Sequence, residues 1–207
     1  MLDLMTSTLM IFLLLSVLRS TLSMDDLEAA VVVERQNRFA ELFAKEFQAE
    51  IEGGEMRLTR NLNLVQITFS DHVLFASSAH ALRDRGKGLL RRCATLFRQA
   101  SETGYEQIQV EGHTDNQPLT RPTYPADNWE LSTARALNVV RFLINDGHVT
   151  AKTLSANGYA EHRPVTSNTT ARDRALNRRI EIRLYFSLTS LGSVQGTGRD
   201  SSGPRVR

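Results

Sequence analysis

The chain has 207 residues, with 25 Lys and Arg set against 23 Asp and Glu for a net charge of +2. That length suits one ordinary domain plus a smaller segment, because a single hydrophobic core is usually satisfied by roughly 100–150 residues. The near balance of charge gives no single-sign field of the kind that drives non-specific nucleic-acid binding, so nucleic acid is excluded as an expected partner. The only cysteine, Cys93, lies in an apolar helical stretch, which rules out a disulfide framework, a thiolate metal site and an acylated cysteine near the start. It reads as a small buried apolar residue.

Residues 4–18 carry no charge and are dominated by Leu, Met, Ile, Phe and Val, the composition of a helix in hydrocarbon. Fifteen residues rise only about 22 Å against a hydrocarbon core roughly 30 Å thick, so the apolar stretch is short for a full span. A secretory signal peptide begins with Lys or Arg, whereas Asp3 stands here and no small-x-small pattern follows Leu18. The sequence therefore predicts a retained transmembrane helix over 1–22. From Asp25 to Ile51 the chain is charged, with Phe39, Leu42, Phe43, Phe47 and Ile51 at helical spacing and Gly53-Gly54 as a stop. This amphipathic helix, 23–54, fits two arrangements, one packed on its own domain and one dimerising or plugging a channel.

The domain predicted over 55–186 alternates strands and helices. Residues 62–69 read as a strand and 82–97 as a helix. In a second strand Ile108, Val110 and Gly112 share one face while Gln109 and Glu111 share the other. A Pro-containing loop leads to Asp127 and Glu130, spaced as a capping box, and to a helix over 128–145 that Gly147 ends. A third strand over 153–159, a short polar helix and a strand alternating Ile180, Ile182 and Leu184 with Glu181 and Arg183 complete the pattern. The alternation predicts an α/β two-layer sandwich, a mixed sheet covered by helices. The tail, 187–207, is rich in Ser, Gly and Arg and reads as disordered.

Asp115 closes a strand and Arg135 lies two turns into the next helix, at the polar flank of its apolar face, so opposite charges can meet at one rim of the sheet. A guanidinium can hold a carboxylate by two parallel hydrogen bonds, and a carboxylate can receive an ammonium. Spacing alone equally fits a structural salt bridge between the two. His72, His80, His113, His148 and His162 show no metal-ligand spacing, and no metal or cofactor is expected. No nucleophile–base pair or phosphate loop is evident, so the chain does not read as an enzyme. Trp129 and Tyr159 read as packing residues, with a place in the pocket wall as the alternative for Trp129.

The stretches Val110-Glu111-Gly112-His113-Thr114-Asp115, Asn128-Trp129-Glu130-Leu131-Ser132-Thr133-Ala134-Arg135-Ala136 and Asn177-Arg178-Arg179-Ile180-Glu181-Ile182 resemble the signature blocks of the OmpA-like peptidoglycan-binding family. Gly158, Pro164, Val165 and Asn168 fit its intervening loop, and the match spans roughly residues 63–184. The resemblance implies that Asp115 and Arg135 hold the amino and carboxylate groups ending a diaminopimelate side chain. It further implies that Thr114, Asn128 and Leu131 line that pocket, and that Arg178 reaches stem-peptide or glycan oxygens. Within the family, the insert between Asp115 and Asn128 and the run Asp3-Leu4-Met5-Thr6 resemble MotB-type stator subunits. That implies an ion-carrying Asp3, a homodimer, a multi-helix partner of MotA type, and a bacterial inner-membrane protein with its C-terminal domain in the periplasm. A family member carries a basic tail before the aspartate, and only Met1 and Leu2 precede it here. The same parts also fit a static envelope tether without ion transport or a motor-like subunit in phage defence.

Overall fold

The computed structural model describes residues 2–21, 24–61, 63–101, 104–119 and 125–186. In chain order the elements are α1 (Leu2–Thr21), α2 (Met24–Glu46), α3 (Gln48–Glu52), β1 (Met56–Asn61), β2 (Leu64–Ser70), α4 (Asp71–Leu74), α5 (Asp84–Ser101), β3 (Tyr105–His113), α6 (Asn128–Asn145), a 3-10 turn (Ala151–Thr153), β4 (Leu154–Gly158), α7 (Ala171–Asn177) and β5 (Arg179–Phe186). The expected disordered tail lies outside the described residues.

The strands form one sheet in the order β1-β2-β5-β3-β4, with β3 and β4 parallel and the remaining pairs antiparallel. Register produces the two-layer sandwich. Ile67 of β2 and Val110 of β3 both face Ile182 of β5, and Val65 and Ile108 both face Leu184, so period-2 alternation puts a continuous apolar surface on one side. Leu89, Leu90, Cys93 and Phe97 of α5 and Ala136, Val139 and Leu143 of α6 cover it in a single core. Burial pushes the Cys93 thiol well above its ordinary range, which suits its place as a sealed apolar residue.

The two arrangements open to the amphipathic segment are separated by its aromatics. Phe39, Phe43 and Phe47 are buried in the domain core, Phe39 lying 6.3 Å from Phe97 and 6.0 Å from Phe186 between ring centroids. That stripe is used inside the domain, while Leu42 remains exposed. Arg92 of α5 ties the junction from outside, with Nε 2.8 Å from Glu46 and Nη1 2.5 Å from Glu50.

Several local expectations shift. Strand β1 was not anticipated. It is an edge strand in which only Met56 is buried, so its residues give almost no alternation to read. At the start of α6, Asp127 accepts from the Glu130 amide at 2.8 Å, but the Glu130 carboxylate accepts from Ala126 rather than from the cap residue. The reciprocal capping box is at Thr170 and Asp173 of α7. Trp129 is half exposed, stacked on His162 at 5.2 Å, and is not a core residue.

Helix α1 runs through the expected membrane segment, with exposed apolar side chains from Met5 to Val17. Among the described residues no helix is long and apolar enough to cross a membrane. Asp3 falls within α1, and its side chain lies outside the described residues.

Candidate functional site

Close packing of α6 on the ends of β3 and β4 builds the site. A Cβ on Gly112 would lie 2.1 Å from the Ser132 carbonyl oxygen, and one on Gly158 would lie 2.2 Å from Thr133 Oγ1. Only bare backbone at both positions lets α6 come this near. The Ser132 hydroxyl accepts from the Ala160 amide at 3.0 Å, and the Ala160 carbonyl accepts from the Thr114 amide at 2.9 Å. Ala160 is buried at φ 47°, left-handed backbone that this bracing holds in place. On the other side, the Asp71 amide donates to the Arg178 carbonyl at 3.1 Å, which ties the turn after β2 to the start of β5.

These ties gather the six expected binding residues, Asp115, Arg135, Thr114, Asn128, Leu131 and Arg178, around one cavity of about 530 Å³. They play different parts. Asp115 is 7% exposed; its Oδ2 is 2.5 Å from Arg178 Nη1 and its Oδ1 accepts from the Gln117 amide at 3.1 Å. Asn128 spends its amide donors on the carbonyls of Asp115 and Gln117 at 3.2 and 3.1 Å, so it shapes the loop. Thr114 Oγ1 is buried and has no hydrogen-bond partner among the described residues.

Arg135 departs from the expected polar flank. It is 2% exposed, with Nε donating to the Ala79 carbonyl at 2.9 Å, Nη1 3.0 Å from Asp71 Oδ1, and the guanidinium 5.1 Å from the Phe75 ring centroid. The direct Asp115–Arg135 salt bridge that spacing allowed is not formed; each charge pairs with a third party. Asp71, Phe75, Arg83 and the Ser77-Ser78 turn also line the cavity and were missed, because they lie more than 30 residues before Asp115 in a stretch that reads as strand, loop and helix. Burial pushes the Asp71 carboxyl up from its ordinary range, opposed by Arg135 and Arg178. Burial also lowers Arg135 from its ordinary value, opposed by Asp71.

Next in sequence to Thr114 and Arg178 of the cavity lies a second buried polar group that spacing missed. Ligand atoms of Glu111, His113 and Glu181 lie within 4.8 Å of one another. Arg183 meets Glu111 at 3.0 Å and Glu181 at 2.7 Å, and Arg179 meets Glu181 at 2.6 Å. Two guanidiniums already balance two carboxylates, so a dication would introduce uncompensated charge; the geometry is that of a buried ion network. His113 stacks on Tyr159 with centroids 5.4 Å apart.

The OmpA family profile matches residues 74–178, which contain the cavity's loops and all six expected binding residues. Motility protein B of Bacillus subtilis (strain 168) is 36% identical over 116 residues, covering 56% of this chain and 43% of that protein. The chain spans about half the length of the first curated relatives it matches. Among solved structures, the cell wall anchor of the T6SS from Pseudomonas aeruginosa superposes with TM-score 0.62 and 31% identity, over 70% of this chain and 96% of that one. A putative MotB-like protein from Desulfovibrio vulgaris superposes with TM-score 0.69 and 25% identity, over 78% and 96%.

Proposed function

Since the chain belongs to the OmpA family, whose profile covers half of it, we propose that it binds peptidoglycan, with Asp115 and Arg135 holding the zwitterionic end of a diaminopimelate stem peptide. One observation carries this reading. A buried carboxylate, a buried guanidinium and an unpartnered buried hydroxyl, Thr114 Oγ1, line the same cavity. Buried polar groups are ordinarily satisfied, so a hydroxyl without a partner beside two charges suits a polar guest.

The test is retention of the full chain on isolated diaminopimelate-containing sacculi. Asp115→Ala and Arg135→Ala are each expected to weaken retention by about 2–5 kcal/mol, because truncation strands the opposing charge in a desolvated site. Full retention by both variants would overturn the site.

A finer reading assigns the chain to a MotB-like stator in a bacterial inner membrane, single-pass, dimeric and periplasmic at its C-terminal domain, anchoring an ion-driven complex with a MotA-type partner to the wall. It is supported by the similarity to motility protein B and by the apolar side chains of 5–17 that the rest of the chain leaves exposed. Asp3 would carry the ion, sheltered by the partner, since a charge at membrane depth needs one. Asp3→Asn is expected to abolish ion flow while leaving sacculus retention unchanged. Unaltered ion flow, or no ion flow in the parent chain with its genomic partner, would leave the static tether.

A further inference from the structure

The charged seats of the cavity are already met, within the chain, by side chains of the opposite sign. Asp115 holds Arg178 at 2.5 Å and Arg135 holds Asp71 at 3.0 Å. We propose that Arg178 and Asp71 are specificity-determining residues that stand in for the two ends of the guest, Arg178 for its ammonium and Asp71 for its carboxylate, so that the site selects zwitterions. This rests on the peptide-binding reading above.

The two members of each pair differ in how firmly they are held. Asp115 is fixed by the Gln117 amide and its side chain is 10% exposed, whereas the Arg178 side chain is 39% exposed. A guanidinium that already reaches water can leave at little desolvation cost, while the carboxylate beneath it cannot. Arg135 is anchored by the Ala79 carbonyl and the Phe75 ring, while Asp71 has no other side-chain ion pair among the described residues. The seats are therefore Asp115 and Arg135, and the movable occupants are Arg178 and Asp71. Burial also raises the Asp71 carboxyl, which eases its surrender of Arg135 by taking up a proton.

Exchange explains the selectivity. A guest with both charges replaces both stand-ins and conserves the charge at each seat. A guest with one charge displaces one stand-in but must leave the other seat blocked by its own counter-ion. Discrimination then arises from the internal competitor as well as from the attractive contact. Removing a competitor should relax the requirement for the matching guest charge. Without Arg178 the Asp115 carboxylate is unpaired, which favours cations; without the Asp71 charge the Arg135 guanidinium is unpaired, which favours anions.

The experiment is calorimetric titration of the full chain in detergent with three synthetic stem peptides. One carries the free diaminopimelate terminus, one has its terminal amine acetylated, and one has its terminal carboxylate amidated. Arg178→Gln is expected to tighten the amidated, cation-only peptide about tenfold relative to the acetylated one, the equivalent of about 1.4 kcal/mol. Asp71→Asn should shift the ratio in the opposite direction, and Arg178→Lys should restore wild-type ratios. Unchanged ratios in both variants, or equal weakening of all three peptides by Arg178→Gln, would make these residues plain contacts and overturn the proposal. Arg178 is partly exposed, so its variants decide the matter even if Asp71→Asn does not fold. Wild-type chain that binds none of the peptides would overturn the peptide-binding reading and this one with it; normal binding with unchanged ratios would overturn this one alone.

Discussion

Glu181→Gln is expected to destabilise the domain by about 3–4 kcal/mol, in the range for removing one partner of a buried ion pair. Glu181 is 2% exposed and receives Arg179 Nε at 2.6 Å and Arg183 Nη2 at 2.7 Å. Arg183 retains Glu111, but Arg179, 5% exposed, keeps only the carbonyls of Asn177 and Arg163 and loses its counter-charge. Denaturant unfolding of the full chain in detergent measures the loss. The pH dependence gives a second readout. Burial works to raise the Glu181 pKa, but Arg179 and Arg183 outweigh it and hold the carboxyl below its ordinary 4.5. A depressed folded pKa means stability that is present above 4.5 and lost as pH falls through the folded value, where the native state must take up a proton. Wild type should therefore lose stability below that pH, and the variant should lack this component. Asp71, whose carboxyl is raised, acts with the opposite sign, its contribution fading as pH rises through its folded value. The difference between wild type and variant isolates Glu181. An unfolding free energy within about 1 kcal/mol of wild type would show that the network is dispensable.

Gly112→Ala should be comparably damaging by steric means. The added Cβ would stand 2.1 Å from the Ser132 carbonyl oxygen and 2.8 Å from its carbon, atoms of the α6 backbone that cannot rotate away. Overpacking costs about 1–3 kcal/mol in general, and a backbone obstacle places this substitution near the top of that range. A loss of about 3 kcal/mol lowers the melting temperature by roughly 6–12 °C for a domain of this size. Gly88→Ala is the matched control. A methyl group added there, on α5, would meet nothing within 4 Å, so the change should be neutral or gain up to about 1 kcal/mol from helix propensity. Equal melting temperatures for the two variants would refute the close approach. Because α6 carries Arg135, its displacement should also weaken retention on sacculi.

The two residues connect the fold to the site. Glu111 and Glu181 face each other across β3 and β5, as do His113 and Arg179. Their network lies one residue from Thr114 and from Arg178, both of which line the cavity. A strand pair held in register by buried charge therefore fixes the direction in which Asp115 and Arg178 leave the sheet.

Much of the architecture was legible because it rests on local periodicity. The alternation of Ile180, Ile182 and Leu184, the apolar stripe of residues 128–145 and the Asp127 cap all depend on neighbours within a turn or two, and each appears as an element. The clustering of the six expected binding residues was legible for another reason: three short blocks resemble a family, and the fold brings those blocks to one cavity. Strand β1 was not, because an exposed edge strand has no buried face to impose a pattern. The pairing of charges was not legible either. Asp115 with Arg178 and Arg135 with Asp71 join residues 63 and 64 positions apart, and no spacing rule selects which of two carboxylates pairs with which of two guanidiniums.

The sequence by itself determined the sandwich class, the apolar faces and the residues that can carry opposite charges, because side-chain period and residue chemistry are properties of the chain. Tertiary structure alone decided that Phe39, Phe43 and Phe47 close the core, that Arg135 is enclosed, and that Asp71 pairs with Arg135 and Arg178 with Asp115. Those outcomes depend on how closely α6 can approach the sheet over Gly112 and Gly158 and on which charges burial forces to find partners. Both are set by contacts between segments distant in the chain, where local pattern carries no information.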